Sequence, residues 1–155
     1  MNNCFVCGRI EQIKDGTNPF FVTELNTGYV VLGDFQFFNG YTVFLSKNHC
    51  TELHQLSSTE RALFLQEMSL VAEAVFNAFK PVKMNYELLG NSDSHLHWHL
   101  FPRHQNDPLP RGPVWLIDKE LRNGDSARPT KEELIVLRDK LQHELSRLEI
   151  LFKSL

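Results

Sequence analysis

The chain has 155 residues, 42% of them hydrophobic and 23% charged, a balance that excludes disordered and fibrous classes and allows one proper core. A formal net charge of −3 with seven neutral histidines argues against a dedicated electrostatic grip on long nucleic acid. There is no basic N-terminal region followed by an apolar run, no stretch of roughly 18 apolar residues, and only three cysteines, Cys4, Cys7 and Cys50; a cytoplasmic protein with reduced thiols and no membrane span is expected.

In chain order, residues 20–25 follow Asn18-Pro19 and read as a strand, and Asn26-Thr27-Gly28 signals a hairpin into a second strand over residues 29–32. Gly33-Asp34 ends it. Asn39-Gly40 marks another turn, and residues 41–45 are β-branched and aromatic, a third strand. Ser57 and Glu60 stand at capping-box spacing, and Phe64, Met68, Val71, Val75 and Phe79 recur as the apolar stripe of an amphipathic helix that Pro81 stops. Residues 84–89 form a fourth strand. The polar loop Gly90-Asn91-Ser92-Asp93-Ser94 leads into a fifth, which Pro102 is expected to end. Residues 103–129 are mostly loop, with an apolar island at 114–117. Thr130 and Glu133 form a second capping box before the stripe Leu134, Leu137, Leu141, Leu145, Leu148 and Phe152. The expected fold class is α+β: one antiparallel sheet, a helix inserted before its last two strands, and a C-terminal helix.

The fifth strand carries the chemistry. It reads His95-Leu96-His97-Trp98-His99-Leu100-Phe101. Strand side chains alternate between faces, so the three imidazoles share one face, roughly 6.5–7 Å apart in succession, about the span of a phosphate group. One histidine of such a row could attack phosphorus while its neighbours bind the flanking oxygens. The row could instead ligate zinc, or be a solvated face with incidental histidines. His54, His104 and His143 fall outside the pattern and read as surface residues.

This stretch resembles the defining motif of the histidine triad (HIT) family of nucleotide hydrolases and transferases, and other segments resemble that family in order. They are Cys4-Phe5-Val6-Cys7, the acidic Asp34 after the second strand, Leu45-Ser46-Lys47-Asn48-His49 with a fourth histidine, Asn85, and Gly90-Asn91-Ser92. Ser46 stands where the family usually has proline, and Asn91 where it has the longer glutamine. The resemblance covers about residues 4–103 of a single domain spanning 1–155, with the rest an extension.

The resemblance implies a five-stranded antiparallel sheet, a homodimer about a two-fold axis, and hydrolysis of a purine nucleoside phosphate derivative at its α-phosphorus. Dinucleoside polyphosphates, phosphoramidates and aminoacyl-adenylates are the candidate substrates. His97 would be the nucleophile. His99 would contact the phosphate or the leaving group and help its departure, and His95, partnered by His49, would orient the nucleophile's strand. Asn91 and Ser92 would bind phosphate oxygens, Asn85 would support that loop or the phosphate, and Asp34 would accept from the ribose hydroxyls. Phe5, Ile10, Leu32 and Phe35 are candidates for the base pocket. No cofactor is required for this chemistry, but Cys4, Cys7, His49 and His95 could hold a structural zinc. Two alternatives remain: a nucleotide-binding regulator with incidental turnover, and a zinc hydrolase whose ligands are the triad. Trp115 is expected to pack on the sheet rather than cover a base.

Overall fold

The computed structural model describes residues 4–152, with side chains described through residue 148. Helix α1 (Phe5–Lys14) leads into strands β1 (Phe21–Glu24), β2 (Gly28–Leu32) and β3 (Thr42–Ser46). Helix α2 (Ser58–Phe79), strands β4 (Lys83–Glu87) and β5 (His97–Arg103), a short helix α3 (Lys119–Asn123) and helix α4 (Lys131–Phe152) follow. The strands form one antiparallel sheet in the order β1-β2-β3-β5-β4. This is the expected α+β arrangement.

The sheet is covered on both faces. On one, α2 and α4 bury Phe64, Val71, Val75, Leu141 and Leu145 against Val30, Leu32, Phe44 and Leu100, with the Phe44 and Phe64 rings stacked at 5.0 Å. On the other, Val6 and Ile10 of α1 pack on Tyr29, Val31 and Leu45. Further along that face, Val114 and Ile117 pack on Phe38 and Phe101. Strand β2 lies under both layers, so all five of its residues are buried; that explains its continuous apolar run where a half-covered strand would alternate.

Both capping boxes form. Ser57 Oγ accepts from the Glu60 N–H at 3.3 Å and the Ser57 N–H donates to Glu60 at 3.2 Å. Thr130 and Glu133 repeat the exchange at 3.2 and 2.8 Å. Together they satisfy N–H groups that a helix start leaves without intrahelical partners. By length and composition alone α2 could cross a membrane, but its apolar stripe is taken up by the sheet and α4. Its buried Glu67 accepts from the backbone and side chains of Asn26 and Thr27, fastening the β1–β2 turn to the helix.

Three expectations need correction. Pro102 does not end the fifth strand, which runs to Arg103 with Pro102 opposite Met84. Pairing with β3 stops at Leu100, so β5 has one free edge there, where a residue without an N–H is tolerated. Helix α1 was not expected at all. Phe5, Val6 and Gly8 are poor helix formers, yet Cys4 caps its start, its sulfur accepting from the Cys7 N–H at 3.4 Å. Residues 103–129 contain α3 and three-residue helical turns at Val114–Leu116 and Asp125–Ala127. The side chain of Phe152, the last residue of the C-terminal stripe, lies outside the described residues.

Candidate active site

Between the two blocks that cover the site face of the sheet, α1 and the 114–123 segment, lies a cleft of about 680 Å³. Its floor is β5, with His97, His99 and Phe101. One wall comes from Phe5, Val6 and Arg9 of α1, and the other from Trp115, Lys119, Arg122 and Asn123. Asp34 and Phe35 line it after β2, and residues 89–93 border it.

The histidines are not equivalent. His97 and His99 line the cleft; His95, just before β5, is turned away from it and almost wholly buried. Instead of standing 6.5–7 Å apart, the His97 and His99 rings converge, with centroids 4.6 Å apart and their Nε2 atoms at 3.0 Å. His97 Nδ1 lies 2.5 Å from the backbone oxygen of His95. A carbonyl only accepts, so His97 carries its proton on Nδ1 and its Nε2 is a lone pair. His99 must then donate from Nε2, leaving its Nδ1 to accept from the Tyr41 hydroxyl at 2.6 Å. The relay Tyr41 to His99 to His97 to the His95 carbonyl gives every nitrogen of the two rings a partner. Burial, with the neighbouring His97 second, lowers the His99 pKa to about 4; burial also raises the Tyr41 hydroxyl above its ordinary value. Both residues therefore hold these protonation states at neutral pH.

Asp34 lines the cleft with an ion pair to Arg9 through Oδ2. Its Oδ1 is buried without a partner, an acceptor in need of a donor. Asn91 and Ser92 line the cleft, exposed, with no side-chain hydrogen bond among the described residues. Asn85 is not brought to the cleft. Its Oδ1 accepts from Arg103 at 3.2 Å, and buried Arg103 also donates to Asp107, Leu109 O and Gly112 O. A buried guanidinium needs every acceptor it can reach, so Asn85 serves the fold there. Of the base-pocket candidates, Phe5 and Phe35 line the cleft. Leu32 borders it but belongs to the core under α2, and Ile10 faces inward on α1.

A second cluster lies beside the first. Ligand atoms of Cys4, Cys7, His49 and His95 all fall within 4.8 Å of one another. His95 Nδ1 is 3.6 and 3.5 Å from the sulfurs of Cys4 and Cys7, and His49 Nδ1 is 3.2 Å from Cys7. The edges of a tetrahedral zinc site with these donors are roughly 3.3–3.8 Å, so the set fits such an ion. His95 Nε2 donates to the Ser46 carbonyl at 2.8 Å, which leaves Nδ1 as the free lone pair and aims the ring, as metal-ligating histidines commonly require. His97 and His99 take no part in this cluster, so the geometry does not assemble the triad as a three-histidine metal site.

Three cleft residues depart from what the sequence leads one to expect. Trp115 is half-exposed on the rim rather than packed away. It stands edge-on to His99 at 6.2 Å and Phe101 at 5.9 Å, with its indole N–H donating to Glu87 at 2.5 Å. Arg9 was hidden because its helix was, and Tyr41 read as an ordinary strand aromatic. The alternation of residues 41–45 opposite the triad strand was the one available signal for Tyr41.

A triad divided between a nucleophile cleft and a Cys–His cluster, on a sheet of this order, defines a histidine-triad protein. The chain belongs to the HIT domain family, whose model matches residues 17–106, more than half of its length. No curated protein matches it. Among solved structures, a histidine triad protein from Marinobacter aquaeolei VT8 is 27% identical, with a TM-score of 0.69, over 83% of this chain and 89% of that one. A hypothetical histidine triad nucleotide-binding protein from Sulfolobus tokodaii is 20% identical with a TM-score of 0.70, over 92% and 94%. A zinc-bound histidine triad family protein from Mycobacterium smegmatis is 21% identical with a TM-score of 0.62, over 95% and 96%.

Proposed function

We propose that the protein binds a purine nucleotide derivative and hydrolyses it at the α-phosphorus through a nucleotidyl-His97 intermediate. The observation that carries this reading is the relay that fixes the His97 Nε2 lone pair in the cleft. That nitrogen forms a bond to phosphorus while the bond to the leaving oxygen or nitrogen breaks, its electron pair departing with that atom. Water then attacks the same phosphorus, the N–P bond returns its pair to Nε2, and the proton of water is released. His99, whose Nε2–H faces the reacting centre, turns from His97 to a phosphoryl oxygen or the leaving atom. Asp34 Oδ1 takes the ribose hydroxyls, and Asn91 and Ser92 take phosphate oxygens. The nucleotide-binding relative from Sulfolobus tokodaii agrees with this reading.

Zinc belongs to it as well. Cys4, Cys7, His49 and His95 would hold the ion and supply structure rather than reactivity, since four protein ligands leave no open position. The zinc-bound relative from Mycobacterium smegmatis supports this. The expected homodimer also stays in the proposal: β4 is a sheet edge, with Tyr86 and the neighbouring Val82 exposed, and such edges invite pairing. Sedimentation analysis tests it, a monomer at micromolar concentration being the contrary result.

The decisive experiment is a panel of adenosine and guanosine polyphosphates, phosphoramidates and adenylates, quenched early and read by intact mass. A nucleotidyl adduct that maps to His97 is expected. Turnover without any adduct, or with an adduct elsewhere, overturns the mechanism.

A further inference from the structure

The wall of the cleft opposite α1 is built outside the span that matches the family. Its construction starts at Arg103, whose donations to Leu109 O and Gly112 O tie the following loop to the end of β5. Val114 and Ile117 then bury against Phe38 and Phe101, which delivers α3 to the cleft. Lys119 and Arg122, three residues apart and so on one helix face, both line it. The Arg122 guanidinium lies 4.9 Å from the Trp115 ring centre, and its Nε donates to Ile117 O at 2.9 Å, which fixes its direction.

The charges in the cleft are unevenly matched. Arg9 is neutralised by Asp34. Lys119 and Arg122 form no ion pair among the described residues. Glu87, tied to Trp115, is not among the cleft-lining residues. Arg122, over the Trp115 ring, and Lys119, on the same wall, thus form no ion pair among the described residues, and Trp115 itself stands next to His99 and bonds Glu87 of β4. Asp34, which takes the ribose in the proposed reading, follows β2 and is held by Arg9 of α1. A substrate lying across β5 would place its leaving group against these cations.

We propose that Lys119 and Arg122 form a subsite for an anionic leaving group, so that the chain selects substrates whose α-phosphorus is joined to further phosphate rather than to an amine. This rests on the proposed α-phosphorus hydrolysis. The cations act on the departing oxygen's side, where negative charge grows as the bond to phosphorus breaks, and charge-assisted contacts to phosphate are the strong ones.

The test compares two substrates sharing the adenosine 5′-phosphoryl half: diadenosine tetraphosphate and adenosine 5′-phosphoramidate. Lys119→Gln and Arg122→Gln should each lower kcat/KM for the tetraphosphate by about tenfold more than for the phosphoramidate. Equal losses on both substrates, or no loss on the tetraphosphate, overturn the subsite. Lys119 is exposed, so its variant keeps the comparison meaningful if the Arg122 variant folds poorly. Calorimetry on His97→Ala separates this proposal from the one beneath it. If the wild-type protein turns over neither compound, the hydrolytic reading fails. The subsite then stands only if diadenosine tetraphosphate binds more tightly than AMP and Lys119→Gln removes that difference.

Discussion

His97 and His99 meet nitrogen to nitrogen at 3.0 Å, and each ring's other nitrogen is held from outside the pair, by the His95 carbonyl and by the Tyr41 hydroxyl. Neither ring can change its tautomer without breaking a bond at the far end of the relay. His97→Ala should therefore remove hydrolysis, by about a thousandfold or more. It should leave the protein folded, at a cost of about 1–2 kcal/mol, and still able to bind nucleoside monophosphate. Steady-state kinetics, thermal denaturation and calorimetry on one preparation check all three.

Tyr41→Phe tests the other end of the relay. The ring keeps its stack on Phe101 at 4.2 Å, so stability should change by no more than about 1 kcal/mol. The O–H that fixes His99 is lost, and kcat should fall by about tenfold with KM little changed. Nitrogen NMR of the His99 ring should show the loss of a single tautomer; an unchanged spectrum would mean that Tyr41 does not set it.

The depressed pKa of His99 gives stability a pH dependence of known sign. Burial holds the folded-state value at about 4, below the value of about 6.5 for a free imidazole. Between those values the unfolded chain binds the proton and the folded chain does not, so this residue destabilises the protein as pH falls from about 6.5 toward 4, and contributes no slope above that window. Denaturant midpoints measured across the window should fall less steeply for His99→Gln than for the wild type.

Asp34→Asn should raise KM for ribonucleotide substrates by about tenfold while kcat moves little, because the proposed ribose contact is remote from phosphorus. The sharper measurement uses a 2′-deoxynucleotide substrate. The wild type should discriminate against it, and the variant should lose most of that discrimination.

Cys7→Ser should abolish stoichiometric zinc, read by elemental analysis, and lower the melting temperature. It should also increase amide exchange in Phe5–Lys14, since Cys4 and Cys7 are the first helical cap and turn of α1. An α1 that stays equally protected would show that Val6 and Ile10 suffice to hold it.

The sheet, both long helices and the reacting strand were legible because their signals are local. Alternation over 95–101, turn dipeptides at 26–28 and 39–40, and capping boxes at Ser57 and Thr130 each act within a few residues. What escaped depends on distant partners. α1 gains its stability from Tyr29, Val31 and Leu45 and from its cysteine cap, not from helix propensity. Asn85 serves neither the 90–92 loop nor the cleft, and nothing in the sequence announces that Arg103 needs its oxygen. The split of the triad was readable in outline, because Cys4 and Cys7 offered half a metal site, but the inward turn of His95 depends on the Ser46 carbonyl across the sheet.

The cleft's two walls come from chain segments on either side of the matched span: Phe5 and Arg9 before it, Trp115, Lys119 and Arg122 after it. The reacting imidazoles lie inside it. In the proposed reading the leaving-group wall is thus written apart from the reacting strand, and the segment after the matched span can diverge without disturbing the His97 and His99 atoms. In chimaeras that exchange only the segment after residue 106, adduct formation on His97 should persist, and the preference between polyphosphate and phosphoramidate should follow the origin of that segment.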